Sequence, residues 1–194
     1  MANLRFIITG GPGAGKTTTL EALAERGYYY VPEVARAIIK QRLEAGLSPR
    51  PPLAQFAQDI LRMDMTYYRQ TPVKDKDKPI FFDRGVVDAL AFVDEQNAIS
   101  PAQVAAHIQA YPYNKVVFLM PPWEQIYATD TERDQTFPES VQVFESLRSW
   151  YAQWDYRTVE VPRGDVDRRV AFILKTVRHR MNSTPDTKNV LETR

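Results

Sequence analysis

Short apolar runs alternate along the chain with longer stretches in which apolar residues recur every three or four positions, and the two periods predict strands and helices in turn. Leu4 to Thr9, Tyr28 to Val31, Pro79 to Asp83, Lys115 to Met120 and Thr158 to Val161 are the strand candidates. Helical spacing covers Lys16 to Arg26, Pro32 to Ala45, Pro52 to Gln70, Val86 to Asn97, Pro101 to Ala110, Trp123 to Ala128, a long segment from Phe137, and Val166 to Met181. Strands apolar on both sides, alternating with amphipathic helices, predict an α/β three-layer sandwich: a five-stranded parallel sheet covered on both faces, with ligands outside the carboxyl ends of the strands.

Punctuation supports these boundaries. Gly27 follows the first helix, Ser100-Pro101-Ala102-Gln103 and Thr136 with Glu139 have capping-box spacing, and Gly46-Leu47-Ser48-Pro49 splits the two helices between the second and third strands. That helical excursion either builds a substrate pocket or is a hairpin that only covers the sheet. In the helix from Phe137, the residues Val141, Phe144, Leu147, Trp150, Tyr151 and Trp154 read as core. In the last helix Val166, Val170, Ile173, Leu174 and Val177 form the apolar stripe, leaving Arg168, Arg169, Arg178 and Arg180 for a solvated face. Lys74 to Lys78 alternates in sign and reads as a solvated loop, and Thr129 to Thr136 is polar enough to be a lid. Asn182 to Arg194 has no period and no aromatics, so the expectation is one domain over 1–181 followed by a frayed tail.

Composition narrows the partners. With 194 residues, 44% of them hydrophobic, the chain can bury one sizeable core. Twenty-five Lys and Arg against 24 Asp and Glu leave a net charge of +1, which offers no electrostatic case for a nucleic-acid or membrane-surface partner and points to a small molecule. The absence of cysteine excludes disulfides, a thiol nucleophile and cysteine metal sites. No apolar run approaches a signal peptide or a membrane span, so a cytoplasmic location is expected.

The chemistry concentrates after the first strand. Gly10-Gly11-Pro12-Gly13-Ala14-Gly15-Lys16-Thr17 fills every fixed position of the G-x-x-x-x-G-K-[ST] phosphate loop, between a strand and a helix as that motif requires. Main-chain N–H groups from Gly11 to Thr18 would wrap the phosphates, Lys16 would stand exposed and reach the β and γ oxygens, and the Thr17 hydroxyl would ligate Mg²⁺. No guanine-reading Asn-Lys-x-Asp stretch accompanies it, so ATP is expected with GTP also possible. Three further strand ends carry charge. Glu33 follows the second strand with Arg36 a turn later, a base and an anion contact or else a helix-end ion pair. Asp83 ends the third strand where a second Mg²⁺ ligand would stand, and Arg84 beside it could orient the acceptor, unless the two merely pair with each other. Arg133, after the fourth strand, is placed to fold over the triphosphate or to stand free in its loop, and Pro162 and Gly164, after the fifth, would border the adenine.

Taken together, Gly10 to Thr17, Glu33, Asp83-Arg84 and Arg133 resemble the nucleoside and nucleotide kinase branch of P-loop proteins. Within that branch, the chain to about Met181 is similar to predicted AAA-type ATPases related to the ribosylnicotinamide kinase domain. The resemblance implies sheet order 2-3-1-4-5, a helical lid, a carboxylate base at Glu33 and Mg-ATP as phosphoryl donor. One departure is visible: such lids commonly carry two neighbouring arginines, whereas Arg133 stands alone until Arg148. The resulting expectation is a kinase that transfers the γ-phosphoryl group to a nucleoside-like or other small hydroxyl acceptor bound by Glu33, Arg36 and Arg84. A nucleotide-dependent switch with weak NTPase activity is the alternative.

Overall fold

The computed structural model describes residues 3–73, 75, 78–127 and 136–182. Five strands, β1 (Arg5–Gly10), β2 (Tyr29–Val31), β3 (Ile80–Asp83), β4 (Val116–Met120) and β5 (Arg157–Glu160), form one sheet of order β2-β3-β1-β4-β5. All four pairings are parallel. Seven helices connect them within the described residues: α1 (Lys16–Glu25), α2 (Val34–Glu44), α3 (Leu53–Gln70), α4 (Val86–Glu95), α5 (Pro101–Ala110), α6 (Phe137–Gln153) and α7 (Val166–Asn182). Sheet class and strand order are those expected from the sequence.

Strand alternation sorts the core into two layers. Phe6, Ile8, Phe81, Val116, Phe118 and Met120 point to one face and pack with Leu20 and Leu23 of α1 and Val170, Ile173 and Val177 of α7. Ile7, Phe82, Val117 and Leu119 point to the other and meet α3, α4 and α6 through Leu61, Leu90, Phe144 and Tyr151. A period of two along each strand therefore builds both layers. In the α2–α3 excursion, Ala57, Leu61 and Tyr68 of α3 cover the sheet, while α2 buries only Val34 and Ile38 and stands outside α3.

Differences from the periodicity lie at element ends. Tyr28 belongs to a turn because its N–H closes α1 on the Leu23 carbonyl, 3.1 Å away, so β2 starts one residue late. Helix α2 starts at Val34 rather than Pro32, leaving Glu33 in extended geometry just outside it. α4 stops two residues early because Asn97 adopts φ 52°. Of the Trp123 to Ala128 segment, the described residues 123–127 hold a 3₁₀ turn, Glu124–Ile126, and Ala128 lies outside the described residues. Both capping boxes form, at Ser100/Gln103 and Thr136/Glu139. Of the Lys74 to Lys78 run, Asp75 and Lys78 are exposed and the rest lies outside the described residues. The same holds for the tail reading of 183–194 and for the lid segment before Thr136. Among the described residues no helix is long and apolar enough to cross a membrane.

Because Phe81 is fully buried between Phe6 and Tyr28, with ring centroids 6.2 and 5.9 Å away, Phe81→Ala should lower unfolding free energy by about 3–5 kcal/mol. Leu47→Ala, at an exposed position, should stay within about 0.5 kcal/mol of wild type; urea denaturation measures both.

Candidate functional site

The phosphate loop leaves β1 and enters α1 by two left-handed glycines, Gly13 (φ 72°) and Gly15 (φ 78°), conformations that side chains resist. A Cβ at Gly13 would also lie 2.6 Å from the Tyr127 ring, and one at Gly15 would lie 2.4 Å from the Arg169 guanidinium. Gly15 caps α1 without a side-chain hydrogen bond, which leaves the N–H groups of the first turn to a ligand. Gly11 faces α6, close to the Ser140 carbonyl.

Lys16 departs from the exposed position expected of it. Its ammonium donates to the carbonyls of Gly10 (3.1 Å) and Gly11 (3.0 Å), folding back over the loop, and the residue is 7% exposed. The charge is retained at the loop, near Glu33 and Asp83, both of whose titrations it lowers.

The ends of β1, β2 and β3 are tied together by Arg84. Its backbone takes φ 67°, uncommon for a residue with a side chain, and this turn aims the guanidinium back across the sheet. From there Nε donates to Glu33 (3.1 Å), Nη2 donates to the Gly10 carbonyl (3.0 Å), and Nη1 lies 3.6 Å from Asp88. Arg36 donates to the other Glu33 oxygen at 3.2 Å. The alternative reading, in which Asp83 and Arg84 merely pair with each other, does not hold: Arg84 bridges Glu33 and Asp88. Asp88 in turn accepts hydrogen bonds from the Thr9 and Tyr151 hydroxyls.

These contacts push neighbouring carboxyls in opposite directions. Burial acts to raise the Glu33 pKa, but Arg84, Lys16 and Arg36 outweigh it and bring the group down to about 2. Asp83 is buried with Oδ1 lacking any hydrogen-bond partner among the described residues, and burial, only partly opposed by Lys16, pushes it up to about 6. Burial, together with the nearby Asp88 and Glu33, raises Asp64 on α3 well above the usual carboxylate range.

A cavity of about 1160 Å³ opens over this cluster, roomier than the usual small-molecule pocket. The loop from Pro12 to Thr18 lines one end and Glu33, Arg36 and Arg84 stand at its centre. Helices α2, α3, α4 and α6 enclose the other end with apolar side chains, among them Ile39, Phe56, Ile60, Phe92 and Trp150, and with polar ones such as Asp64, Glu95, Gln142 and Gln153. Pro162 and Gly164 do not line it; that side is reached through Ile126 and Arg169 instead. Arg133 lies outside the described residues. Arg169, expected on a solvated face, is 6% exposed and donates to the Gly15 carbonyl at 3.2 Å, because α7 packs against α1 and brings its first turn to the loop.

Asp64, Asp88 and Arg169 were missed by sequence reasoning. Each left a signal in the pattern: Asp88 interrupts the apolar run Val86-Val87-Asp88-Ala89-Leu90, Asp64 falls on the stripe of Phe56 and Ile60, and Arg169 stands three residues after Val166. A charge at a core-facing position is the feature that separates them from ordinary surface charges.

The Asp83 shift carries a stability consequence with a definite sign. Its folded pKa lies above the ordinary aspartate value of 3.8, so the folded state keeps a proton that the unfolded chain releases, and stability falls as pH rises from about 4 to about 6. The full loss is about 3 kcal/mol. Glu33 acts oppositely, losing its contribution as pH falls from 4.5 toward about 2. In chelator, the melting temperature of Asp83→Asn relative to wild type should therefore be higher near pH 8 than near pH 4. A difference that does not change with pH would contradict the shift.

Comparison with known proteins places this fold. A family model described as an AAA domain matches residues 5–169. Among curated proteins none matches. A deoxyadenosine kinase from M. mycoides, solved with bound dATP, superposes with TM-score 0.53 at 16% identity, covering 90% of this chain and 99% of that one. The same kinase with the products dCMP and dCDP gives 0.56 at 16% identity over the same shares. Thymidylate kinase from Candida albicans gives 0.60 at 10% identity over 93% of each chain. The chain belongs to the AAA-domain family, on a P-loop fold that it shares with deoxyadenosine and thymidylate kinases.

Proposed function

We propose that the protein is a small-molecule kinase that moves the γ-phosphoryl group of ATP to the hydroxyl of a nucleoside-like acceptor. The observation that carries this reading is Glu33, held between Arg36 and Arg84 at the boundary between the phosphate loop and an apolar pocket. A nucleotide-dependent switch needs the loop but has no use for a fixed carboxylate facing a second, apolar compartment. The kinase neighbours add support by likeness of fold.

In the proposed reaction, Lys16 and the first-turn N–H groups of α1 hold the β- and γ-phosphates, and Arg84 and Arg36 fix Glu33 against the acceptor hydroxyl. Each Glu33 oxygen keeps a lone pair beyond the one that its arginine uses, so the hydroxyl can donate to it. A carboxylate with a pKa of about 2 is a weak base, so Glu33 chiefly orients the hydroxyl and takes its proton late. That sequence suits a loose transition state, in which the bond from Pγ to the ADP oxygen is largely broken before the acceptor oxygen bonds to Pγ. The unpartnered Oδ1 of Asp83, beside the loop, suits a divalent cation. Thr17 and Asp83 would hold Mg²⁺, which when bound neutralises charge on the phosphates. Arg133 is proposed to close over them, and Pro162 and Gly164 to flank the base on the far side of the loop.

Lys16→Ala should abolish tight Mg-ATP binding in calorimetric titration while circular dichroism shows the fold retained. Unchanged affinity would remove the nucleotide site from this reading. Glu33→Gln should bind nucleotide as wild type does yet transfer phosphoryl on the order of 10²-fold more slowly, at the low end for loss of a positioned proton acceptor. Full transfer by Glu33→Gln, measured as acceptor-dependent ADP release, would exclude Glu33 from the chemistry.

A further inference from the structure

Among the described residues, a carboxyl on the α3 wall of the cavity has no hydrogen-bond partner. Helix α3 lines the cavity along Leu53, Phe56, Ile60 and Asp64, positions three and four residues apart that share a face. The stripe runs inward: Leu53 is 58% exposed, while Phe56 and Asp64 are buried. An apolar wall therefore ends in a carboxyl.

Two of the acids nearest it on the cavity wall are engaged. Glu33 is held by two arginines, and Asp88 by two hydroxyls and Arg84. Asp64 feels Arg84 only through space, and no side chain or main-chain group among the described residues hydrogen-bonds it. Buried polar groups are ordinarily hydrogen-bonded, and for a residue on the cavity wall the occupant of the cavity is what can bond it. Its carboxyl faces the cavity, so a bound acceptor is in position to do so.

We propose that Asp64 is the specificity residue of the acceptor pocket and that it selects an acceptor whose flat heterocycle carries an N–H donor. This rests on the kinase reading, which puts the acceptor in this half of the cavity. An N–H donor suits the carboxyl in either protonation state, because at least one oxygen accepts in both. A flat ring suits the walls: Phe56 and Phe92 meet edge to face at 6.2 Å, and Ile60 stands on the same stripe as Phe56. With the ring so placed, its sugar hydroxyl extends toward Glu33 and Arg84, and the apolar walls raise the energetic weight of a single well-placed hydrogen bond.

The test uses nucleoside pairs that differ only in an exocyclic amino group: adenosine against purine riboside, and cytidine against the riboside of pyrimidin-2-one. Binding is measured by calorimetry with a non-hydrolysable ATP analogue present, and transfer separately by ADP release. Wild type should bind the amino-bearing member of at least one pair about 10- to 100-fold more tightly, and Asp64→Leu should bring the pair within about threefold. Asp64→Asn, whose carbonyl still accepts, should retain part of the preference and serves as the readout if Asp64→Leu has no cooperative melt. Equal binding of both members of both pairs by wild type, or an undiminished preference in Asp64→Leu, overturns the assignment. Preferential binding of an amino-bearing nucleoside without any transfer would uphold Asp64 and overturn the kinase reading. Equal transfer to both members would do the reverse.

Discussion

A single guanidinium determines how the three strand ends meet. Arg84 bonds the main chain at the end of β1, the carboxylate after β2 and the carboxylate on α4, while its own backbone ends β3. Parallel strands leave their carboxyl ends with like-directed peptide dipoles and unpaired main-chain groups, and only a residue with several rigid donors can serve all three ends at once. The left-handed backbone at Arg84 is the conformational cost of that reach. Lysine, with a point charge on a flexible stem, would not reproduce the bridge.

From this anchor follows the electrostatic character of the cavity. Lys16, Arg36 and Arg84 cluster about Glu33, whereas Asp83 and Asp64 lie where burial outweighs their attraction. Glu33 is held ionised among the cations, while Asp64 on the cavity wall and Asp83 beneath it resist ionisation. In the proposed reaction a polyphosphate brings more negative charge to the same low-dielectric space. The folded-back Lys16 and, in the proposed reaction, a divalent ion are the counterweights available there.

The helices determine what each end of the cavity is made of. α1 and α7 pack as a pair beneath the loop, which is how Arg169 comes to touch Gly15. On the opposite face α3, α4 and α6 cover the sheet with aromatic and aliphatic side chains and continue past its carboxyl edge to wall the second compartment. Core and cavity therefore draw on the same helices, α3 supplying Ala57 and Leu61 to the one and Phe56, Ile60 and Asp64 to the other.

Much of this was legible without coordinates. Phosphate-loop spelling is read locally, because glycine conformations and a helix N-terminus depend on neighbours in sequence; the strands and their parallel class follow from period and length. Glu33, Arg36, Asp83 and Arg84 were found as charges at the ends of apolar runs. What local pattern could not supply was pairing across elements: that Arg84 turns away from Asp83 toward Glu33 and Asp88, that Lys16 folds back onto its own loop, and that Arg169 is buried. Such choices are made by packing between residues as far apart as Gly15 and Arg169, where the energy of burying a charge depends on which partner the fold brings within hydrogen-bond distance. The sequence by itself determined the loop, the sheet and the set of charged strand ends; the tertiary structure alone decided which charges neutralise one another and which, like Asp64, are left facing the cavity.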